Sequence, residues 1–474
     1  MNRKHNQKTR LLRRFITIFA VFTLLFCYAG CSKKTPREAL EDAYKKTFVT
    51  GNPTEKLLGM SEINAHVNEN KAHSTGFSLR IQEISGEGME QYSGLLSGLG
   101  LSVDSASDLL NRKGSTYVDI TYGGTPYLTL GTQIQGSKVH VTAPQLLDGS
   151  LSVDLSTLEE DLASDSMLGK ALRESGISLP ENFTEDLLNS LTSPSSLNTL
   201  VKITAACNDL DKAITVEKLN KKAVAFPSEI AFKNAYCVTI PKYAYVAFIN
   251  AVLDISTEHS VALSDSVLGD ESSQVDTDLL NTKLQIQQIA DAVGDIKLNV
   301  AVTKKGYISY AETKINAAND SYTLTASFTG KTAPLTDVKI TFNGTANGET
   351  LNAVYEETFD QENNEVEFTF TAKEEDTTLL TVSGESTFTD TEKGKKYGMD
   401  FDYLEIETED FSLSLAGDYY VDTTACEITA PTGTEYNLLR MSDSEFTALL
   451  LEVLTNLQED PLLSQLLGSL DFGM

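Results

Sequence analysis

The segment from about Asp295 to Glu427 alternates apolar and polar residues almost without interruption. A period of two places every other side chain on the same face, so each run predicts a β-strand with one apolar face. The runs are separated by residues that tolerate tight turns, such as Asn363-Asn364 and Lys393-Gly394. Successive strands joined by short turns predict an antiparallel meander. Its apolar face needs a cover: helices of the same chain, a partner or a hydrophobic ligand.

The chain has 474 residues, which is more than one compact core normally holds. We expect a signal peptide at 1–30, an N-terminal α+β region at 31–255, an acidic and serine-rich linker at 256–278, and a C-terminal meander with terminal helices at 279–474. The two large regions are expected to share one sheet. The predicted fold class is α+β, with a long antiparallel β-meander, curved like a half-barrel, and helices packed on one of its faces.

Residues Ser85 to Gly114 are rich in glycine and serine. This composition predicts a long loop that interrupts the sheet and is either functional or mobile, or that contains a short helix. On either side of it, alternation predicts strands at Phe77 to Ile84 and from Tyr117 to Leu155. Leucine spacing then predicts several short helices from Ser156 to about Lys222.

Two capping boxes mark helix starts, one at Thr35 and Glu38 and one at Ser442 and Glu445. The second opens a one-sided apolar helix from Phe446. Pro461 then starts a further leucine-rich segment, which contains Leu462, Leu463, Leu466, Leu467 and Leu470. We expect both C-terminal segments to pack on the sheet, and the alternative is that they bind a partner.

The first 30 residues resemble a signal peptide. Their basic residues are Arg3, Lys4, Lys8, Arg10, Arg13 and Arg14, and an uncharged run of 16 residues from Phe15 to Gly30 follows. That run is short for a membrane-spanning helix, which needs about 20 residues, and suits a signal-peptide core. It ends in Tyr28-Ala29-Gly30-Cys31, which resembles a bacterial lipobox, although Tyr28 replaces the usual leucine.

The lipobox resemblance implies that the Cys31 thiol carries diacylglycerol and that Cys31 becomes the N-terminus, and the alternative is an ordinary buried cysteine. Two acyl chains on Cys31 would hold the protein stably at the cell membrane, facing the extracellular side. The sequence also resembles lipoproteins of Gram-positive bacteria, a class that brings no established activity with it.

The formal net charge of −29 becomes −35 once the signal peptide, with six basic and no acidic residues, is removed. An anionic surface of this size repels nucleic acid and anionic lipid headgroups, so nucleic-acid binding is excluded. Scattered acids such as Asp360, Glu362 and Glu365 lack the spacing of a calcium loop, and no metal or cofactor is predicted.

No catalytic motif is present in the sequence. The histidines and cysteines lack the spacing of metal ligands, no G-x-S-x-G elbow occurs, and no phosphate loop appears. We therefore expect no enzyme activity. Beyond Cys27 and Cys31, only Cys207, Cys237 and Cys426 remain, so at most one internal disulfide forms, and Cys207–Cys237 is the closest pair in sequence. Free thiols are the preferred interpretation.

The predicted architecture resembles LolA-like half-barrel lipoprotein carriers over roughly Phe77 to Leu457, without a shared motif. The resemblance implies a hydrophobic or lipid-like ligand between the sheet and the helices. Its lining would include Phe342, Phe368, Phe370, Met399, Phe401 and Phe411, which otherwise are plain core residues. The alternative function is a structural or interaction lipoprotein that binds a protein or the cell wall without a small ligand. A continuous apolar cavity of several hundred cubic ångströms would favour the carrier.

Overall fold

The computed structural model describes most of the chain. The described residues are 35–86, 88–89, 93–94, 96–164, 166–167, 170–171, 195–267, 272–317, 320–330, 333–346 and 348–459. The predicted signal peptide, Cys31, the leucines near Leu187 and the segment from Pro461 onward lie outside them.

The helices and strands occur in groups along the chain. The helices are α1 (Pro36–Tyr44), α2 (Pro53–Leu58), α3 (Met60–Asn68), α4 (Leu158–Ala163), α5 (Ser195–Ala213), α6 (Lys242–Val267), α7 (Ser272–Val293) and α8 (Asp443–Glu459). The first strands are β1 (His73–Gly86), β2 (Leu99–Asp108), β3 (Lys113–Tyr122), β4 (Thr125–Gln135), β5 (Lys138–Thr142), β6 (Gly149–Asp154), β7 (Thr215–Leu219), β8 (Asn234–Ile240) and β9 (Ile296–Val302). The later strands are β10 (Ile308–Ala317), β11 (Asp320–Phe328), β12 (Asp337–Ala346), β13 (Glu349–Asp360), β14 (Glu365–Glu374), β15 (Thr377–Glu392), β16 (Lys396–Glu407), β17 (Phe411–Asp422) and β18 (Thr434–Asn437).

Two compact units divide the chain. Unit 1 contains Met1–Lys56, Ser195–Ser383 and Glu407–Glu409, and unit 2 contains Leu57–Pro194, Gly384–Ile406 and Asp410–Met474. Each unit therefore combines residues from both of the predicted large regions. The predicted boundary at 256–278 does not separate them, because α6 continues to Val267 and α7 begins at Ser272. Acidic and serine-rich composition is compatible with a solvated helix, which the linker prediction did not take into account.

Unit 1 contains the first part of the predicted antiparallel meander, and β16 and β17 from its last part lie in unit 2. Strands β7 to β14 pair in chain order, each antiparallel to the next. The pairing of β8 with β9, for example Val238 opposite Leu298, joins a strand from before the predicted linker to the meander. The alternation that predicts these strands is reflected in β11, where Tyr322, Leu324, Ala326 and Phe328 are buried and their neighbours are not.

The apolar face of unit 1 belongs to one hydrophobic cluster that also contains helix residues. Ala43 of α1, Tyr245 and Phe248 of α6 and Ala290 of α7 are buried together with strand residues such as Leu324. Thr47, in the π-helical turn after α1, is fully buried. Its hydroxyl donates to the Ala43 carbonyl at 2.7 Å and accepts the Ile308 amide at 2.8 Å, which fixes this turn against β10.

Unit 2 is built on a second antiparallel meander. Its strands pair in the order β17, β1, β2, β3, β4, β5, β6, and β18 then pairs parallel to β6. The Gly/Ser-rich segment was expected to interrupt the sheet, and this prediction is wrong for 99–108, because β2 bonds to both β1 and β3. Its alternation of Leu99, Leu101 and Val103 is masked by the small residues between them.

Both predicted capping boxes are present. Thr35 and Glu38 exchange hydrogen bonds at the start of α1, with distances of 2.6 and 3.3 Å. Ser442 and Glu445 do the same before α8, at 2.8 and 3.3 Å. The exchange satisfies amides that the first helical turn leaves without partners, so these sequence signals locate the helix starts correctly.

Candidate functional site

The sheet of unit 2 has one face made almost entirely of apolar side chains. Strand alternation and register bring together Phe77, Leu79 and Ile81 of β1, Leu101 and Val103 of β2, Val118, Ile120 and Tyr122 of β3, Leu128 and Leu130 of β4, Val139 and Val141 of β5, and Leu413, Leu415 and Tyr419 of β17. In the central row, Leu79 lies opposite Leu101, Leu101 opposite Ile120, and Ile120 opposite Leu128. We call this surface the open face.

Solvent still reaches the open face. Leu101 and Leu130 keep 44% and 45% of their surface exposed, and Val141 and Tyr122 keep 40% and 39%. The other residues that define the face are half-buried. A contiguous apolar surface that spans several strands is uncommon on a soluble protein and marks a place where something binds. Single exposed leucines are common on protein surfaces and do not indicate a binding site. The apolar residues of the open face are neighbours across adjacent strands, so they form one continuous surface.

Half of the predicted ligand-lining residues lie on the open face. Phe411 of β17 lies opposite Gly86 of β1, and it lies two residues before Leu413, so both side chains are on the same face of β17. The Tyr397 ring of β16 contacts Tyr419, with ring centroids 6.0 Å apart. Met399 and Phe401 follow Tyr397 at intervals of two, so they occupy the same face of β16. Burial raises the pKa of Tyr397 to about 12, consistent with its apolar surroundings.

The other half, Phe342, Phe368 and Phe370, lie in unit 1. They share one face of its sheet, and Phe342 is only 3% exposed and belongs to the central hydrophobic cluster. Phe370 packs against that cluster, and the Phe368 ring contacts Tyr355. Phe342 is therefore a core residue and Phe370 borders that core, whereas Phe368 is half-buried on the same face, and all three lie in a unit that does not contain the open face.

Unit 1 has a small apolar cavity between α1 and its sheet. Its volume is about 60 Å³, and it is lined by Leu40, Tyr44, Ile214, Val216, Val238, Leu298, Val300, Ile308 and Ala311, with Arg37 and Glu41 at the edge. Ligand pockets usually measure about 300–1,000 Å³, so this cavity is too small for a lipid. None of the six predicted lining residues borders it.

Arg37 closes the edge of that cavity with several bonds. Its guanidinium pairs with Glu41 at 3.1 Å, forms an ion pair with the Asp211 carboxylate, and donates to the Asp211 and Ile214 carbonyls at 3.1 and 3.3 Å. Burial raises the pKa of Asp211, and the Arg37 charge opposes that change. These bonds fasten α1 to the last turn of α5 and to the residue that follows it, so Arg37 has a structural role.

The opposite face of the unit 2 sheet is polar and yet buried. Gln133 and Ser150 are each 3% exposed. The Gln133 amide nitrogen bonds to the Tyr117 hydroxyl, and Ser150 lies 3.4 Å from a ring nitrogen of His140. The Gln133 carbonyl oxygen and the Thr142 hydroxyl have no partner among the described residues.

Of the acids considered for calcium, Asp360 serves a turn. Asp360 accepts the Glu362 amide at 2.8 Å and the Asn363 side chain at 2.9 Å, and these bonds close the hairpin between β13 and β14. The backbone bond from Glu362 is the main cause that lowers the pKa of Asp360. The three remaining cysteines, Cys207, Cys237 and Cys426, form no disulfide among the described residues.

Comparison with known proteins adds little. No family model matches the chain, and no curated protein matches its sequence. Among solved structures, the chain matches the CymD monoaromatic hydrocarbon channel over 78% of this chain and 92% of that chain, at 8% identity and a TM-score of 0.16. A TM-score this low carries no argument. Within the described residues, none of the helices combines the length and hydropathy that crossing a bilayer requires.

Sequence reasoning missed the β1–β5 part of the open face. The alternation in β3 and β4 predicts an apolar side, but alternation cannot tell which side is covered in the folded chain. Leu101 was hidden within a segment interpreted as a loop. A search for period-two leucines and valines inside Gly/Ser-rich segments would have found β2.

Proposed function

We propose that this chain is a lipid-anchored, extracytoplasmic binding protein without enzyme activity, and that it binds a hydrophobic ligand on the open face. The observation that carries the proposal is the exposure of Leu101, Leu130, Val141 and Tyr122 within a continuous apolar surface. Burial of that surface by an apolar molecule is favourable at roughly 25 cal/mol per Å². The proposal keeps Met399, Phe401 and Phe411 of the predicted lining, which lie in unit 2, and drops Phe342, Phe368 and Phe370, which lie in unit 1.

The ligand we propose is uncharged or weakly polar. The formal net charge of −29 disfavours an anionic molecule, and the open face offers no cation of its own among its defining residues. A neutral lipid-like molecule fits both properties. An anchored position at the membrane, through diacylglycerol on Cys31, would keep the protein close to a source of such molecules.

Analysis of material that co-purifies with the protein tests the ligand. The lipidated protein and the chain that starts at Ser32 are purified from the native host in parallel, and each is subjected to native mass spectrometry and organic extraction. We expect a neutral lipid-like adduct on the chain from Ser32, where the anchor itself cannot contribute acyl chains. Bare protein from repeated mild preparations would count against carriage.

Metabolic labelling tests the anchor. Cells that express the full chain are grown with an alkyne analogue of palmitate, and the protein is examined for incorporated label. We expect label on the wild-type chain and on Cys27→Ala, and none on Cys31→Ala. Cys27 is the matched control because it lies in the same apolar segment, four residues earlier. Equal labelling of all three chains would refute the assignment of Cys31.

A second candidate is an interaction lipoprotein that binds a protein or the cell wall. The observation that favours it is the filled core of unit 1, where the apolar cavity measures only about 60 Å³. Under this interpretation the open face would contact a protein surface. The two candidates differ in the extraction experiment, because only a ligand carrier yields a small molecule.

A further inference from the structure

Helix α8 already covers one edge of the open face. Its Leu449 is buried together with Leu147 and Met441, and Leu151 and Tyr436 pack against the same cluster. Leu151 lies opposite Val141 of the open face and opposite Tyr436 of β18. The chain therefore uses its own leucine-rich C-terminal helix as a cover where β6 and β18 end the sheet.

The end of α8 lies close to the exposed centre of the face. The Asn456 side chain donates to the Leu146 carbonyl at 3.0 Å. The neighbouring Gln145 accepts the Thr129 amide at 3.0 Å, and Thr129 stands between Leu128 and Leu130 in β4. This series of contacts places the last turn of α8 beside the part of β4 whose leucine is 45% exposed.

The chain continues from that point with the right composition to go further. After Glu459 come fifteen residues, which include the leucines at 462, 463, 466, 467 and 470 and two charged side chains, Asp460 and Asp471, one near each end. Their spacing of i, i+3, i+4 and i+7 from Leu463 is one-sided. On α8 itself, Leu450, Leu451 and Leu454 are 48%, 60% and 45% exposed, so the apolar character continues toward the end of the helix.

The available length matches the distance to be covered. Fifteen residues at about 1.5 Å each span roughly 22 Å as a helix. From β4 across β3, β2 and β1 to β17 there are four strand spacings of about 4.8 Å, or roughly 19 Å. A segment that starts beside β4 can therefore cross the exposed part of the open face without additional chain.

We infer that residues 460–474 dock on the open face of unit 2 and that a hydrophobic ligand competes with them for it. The inference concerns the ligand-free chain and goes beyond the proposed function. It explains how an apolar surface of this size is compatible with a secreted, strongly anionic protein. The C-terminal segment then sets the affinity for the ligand, because a ligand must displace it.

Fluorescence of the neutral probe Nile red tests the inference. The chain from Ser32 is compared with the same chain ending at Glu459 and with Leu463→Asp/Leu467→Asp in the full-length chain. We expect both changes to raise probe emission at least threefold, since each uncovers the face. Ser464→Asp/Gln465→Asp, which adds the same charge between the leucines, should leave emission unchanged. Equal emission from all four chains would overturn the inference.

Cross-linking identifies the occupant directly. In a Cys207→Ser/Cys237→Ser/Cys426→Ser background with an unchanged circular dichroism spectrum, Leu130→Cys is combined with Leu466→Cys and oxidised. We expect a disulfide within one chain, located by peptide mapping. A disulfide only between chains, together with a dimer in light scattering that Leu130→Asp dissociates, would assign the face to a second copy and overturn the inference.

Flotation with neutral phosphatidylcholine vesicles tests whether the open face binds a lipid bilayer instead of the C-terminal segment. If the unanchored full-length chain floats, and floats equally when it ends at Glu459, the face binds the bilayer and the inference fails. C-terminal docking and ligand carriage can be tested separately. Increased probe emission from the shortened chain, with no lipid in any extract, would retain C-terminal docking and reject carriage.

Discussion

Replacing two leucines of the open face should weaken binding of a hydrophobic probe without unfolding the protein. Leu101 and Leu130 are 44% and 45% exposed, so roughly half of each side chain remains to be buried by a ligand. Full burial of a leucine is worth about 1.5–3 kcal/mol, so the remaining half corresponds to about 1 kcal/mol. Leu101→Ser/Leu130→Ser should therefore cost about 2 kcal/mol of binding free energy, or about 30-fold in Kd.

The assay is a Nile red titration of the chain that ends at Glu459, in which the C-terminal segment cannot compete. Leu110→Ser is the matched control, because Leu110 is 69% exposed in the same unit but lies in the 3-10 turn after β2, outside the open face. We expect its Kd to equal that of the parent. A change of less than threefold in the double variant, or an equal change in the control, would refute the assignment of the face as the binding site.

Three further results are expected. Thr47→Val should lower the free energy of unfolding by about 1–3 kcal/mol in urea, because the buried Ile308 amide loses its acceptor. Thr47→Ser keeps the acceptor and loses only a buried methyl group, so it should cost less, and equal stability of the two variants would contradict this. Tyr420 donates to Asp104, and its pKa is raised to about 12, chiefly by burial, so the stability that it contributes is complete below about pH 10 and is lost between pH 10 and 12. Tyr420→Phe should therefore lose less stability across that window, as measured by urea unfolding, and an unchanged slope would contradict the pKa. Arg37→Met should destabilise unit 1 without affecting Nile red binding, and a loss of binding would point back to the cavity beside α1.

Local order was predictable because it depends on local chemistry. Alternation predicts the strands of the meander, and the capping boxes at Thr35 and Ser442 give helix starts that the hydrogen bonds confirm. Both signals act over a few residues, so neither requires knowledge of the tertiary structure.

The assembly of the units depends on long-range pairing and was not predictable in the same way. Strand β1 pairs with β17, so that Phe77 lies opposite Tyr419, far away in the sequence. No local pattern specifies such a partner. For the same reason the chain was expected to divide at 256–278, whereas each unit combines early and late segments.

The candidate site was half predictable. Met399, Phe401 and Phe411 were selected as apolar residues of alternating strands, and they lie on the open face, whereas Phe342 is core. These four residues have the same pattern in the sequence, since each is an apolar residue of an alternating strand. Such a pattern predicts that the side chain is buried, but it does not say whether a helix of the same chain or a ligand covers it.

Native mass spectrometry of the chain that starts at Ser32 tests ligand binding on the open face most directly, with Leu101→Ser/Leu130→Ser and Leu110→Ser prepared alongside. A hydrophobic ligand on the open face predicts a neutral adduct on the parent and on Leu110→Ser that is lost from the double variant. An adduct that persists in the double variant, or the absence of one from every chain, would contradict the proposed binding site.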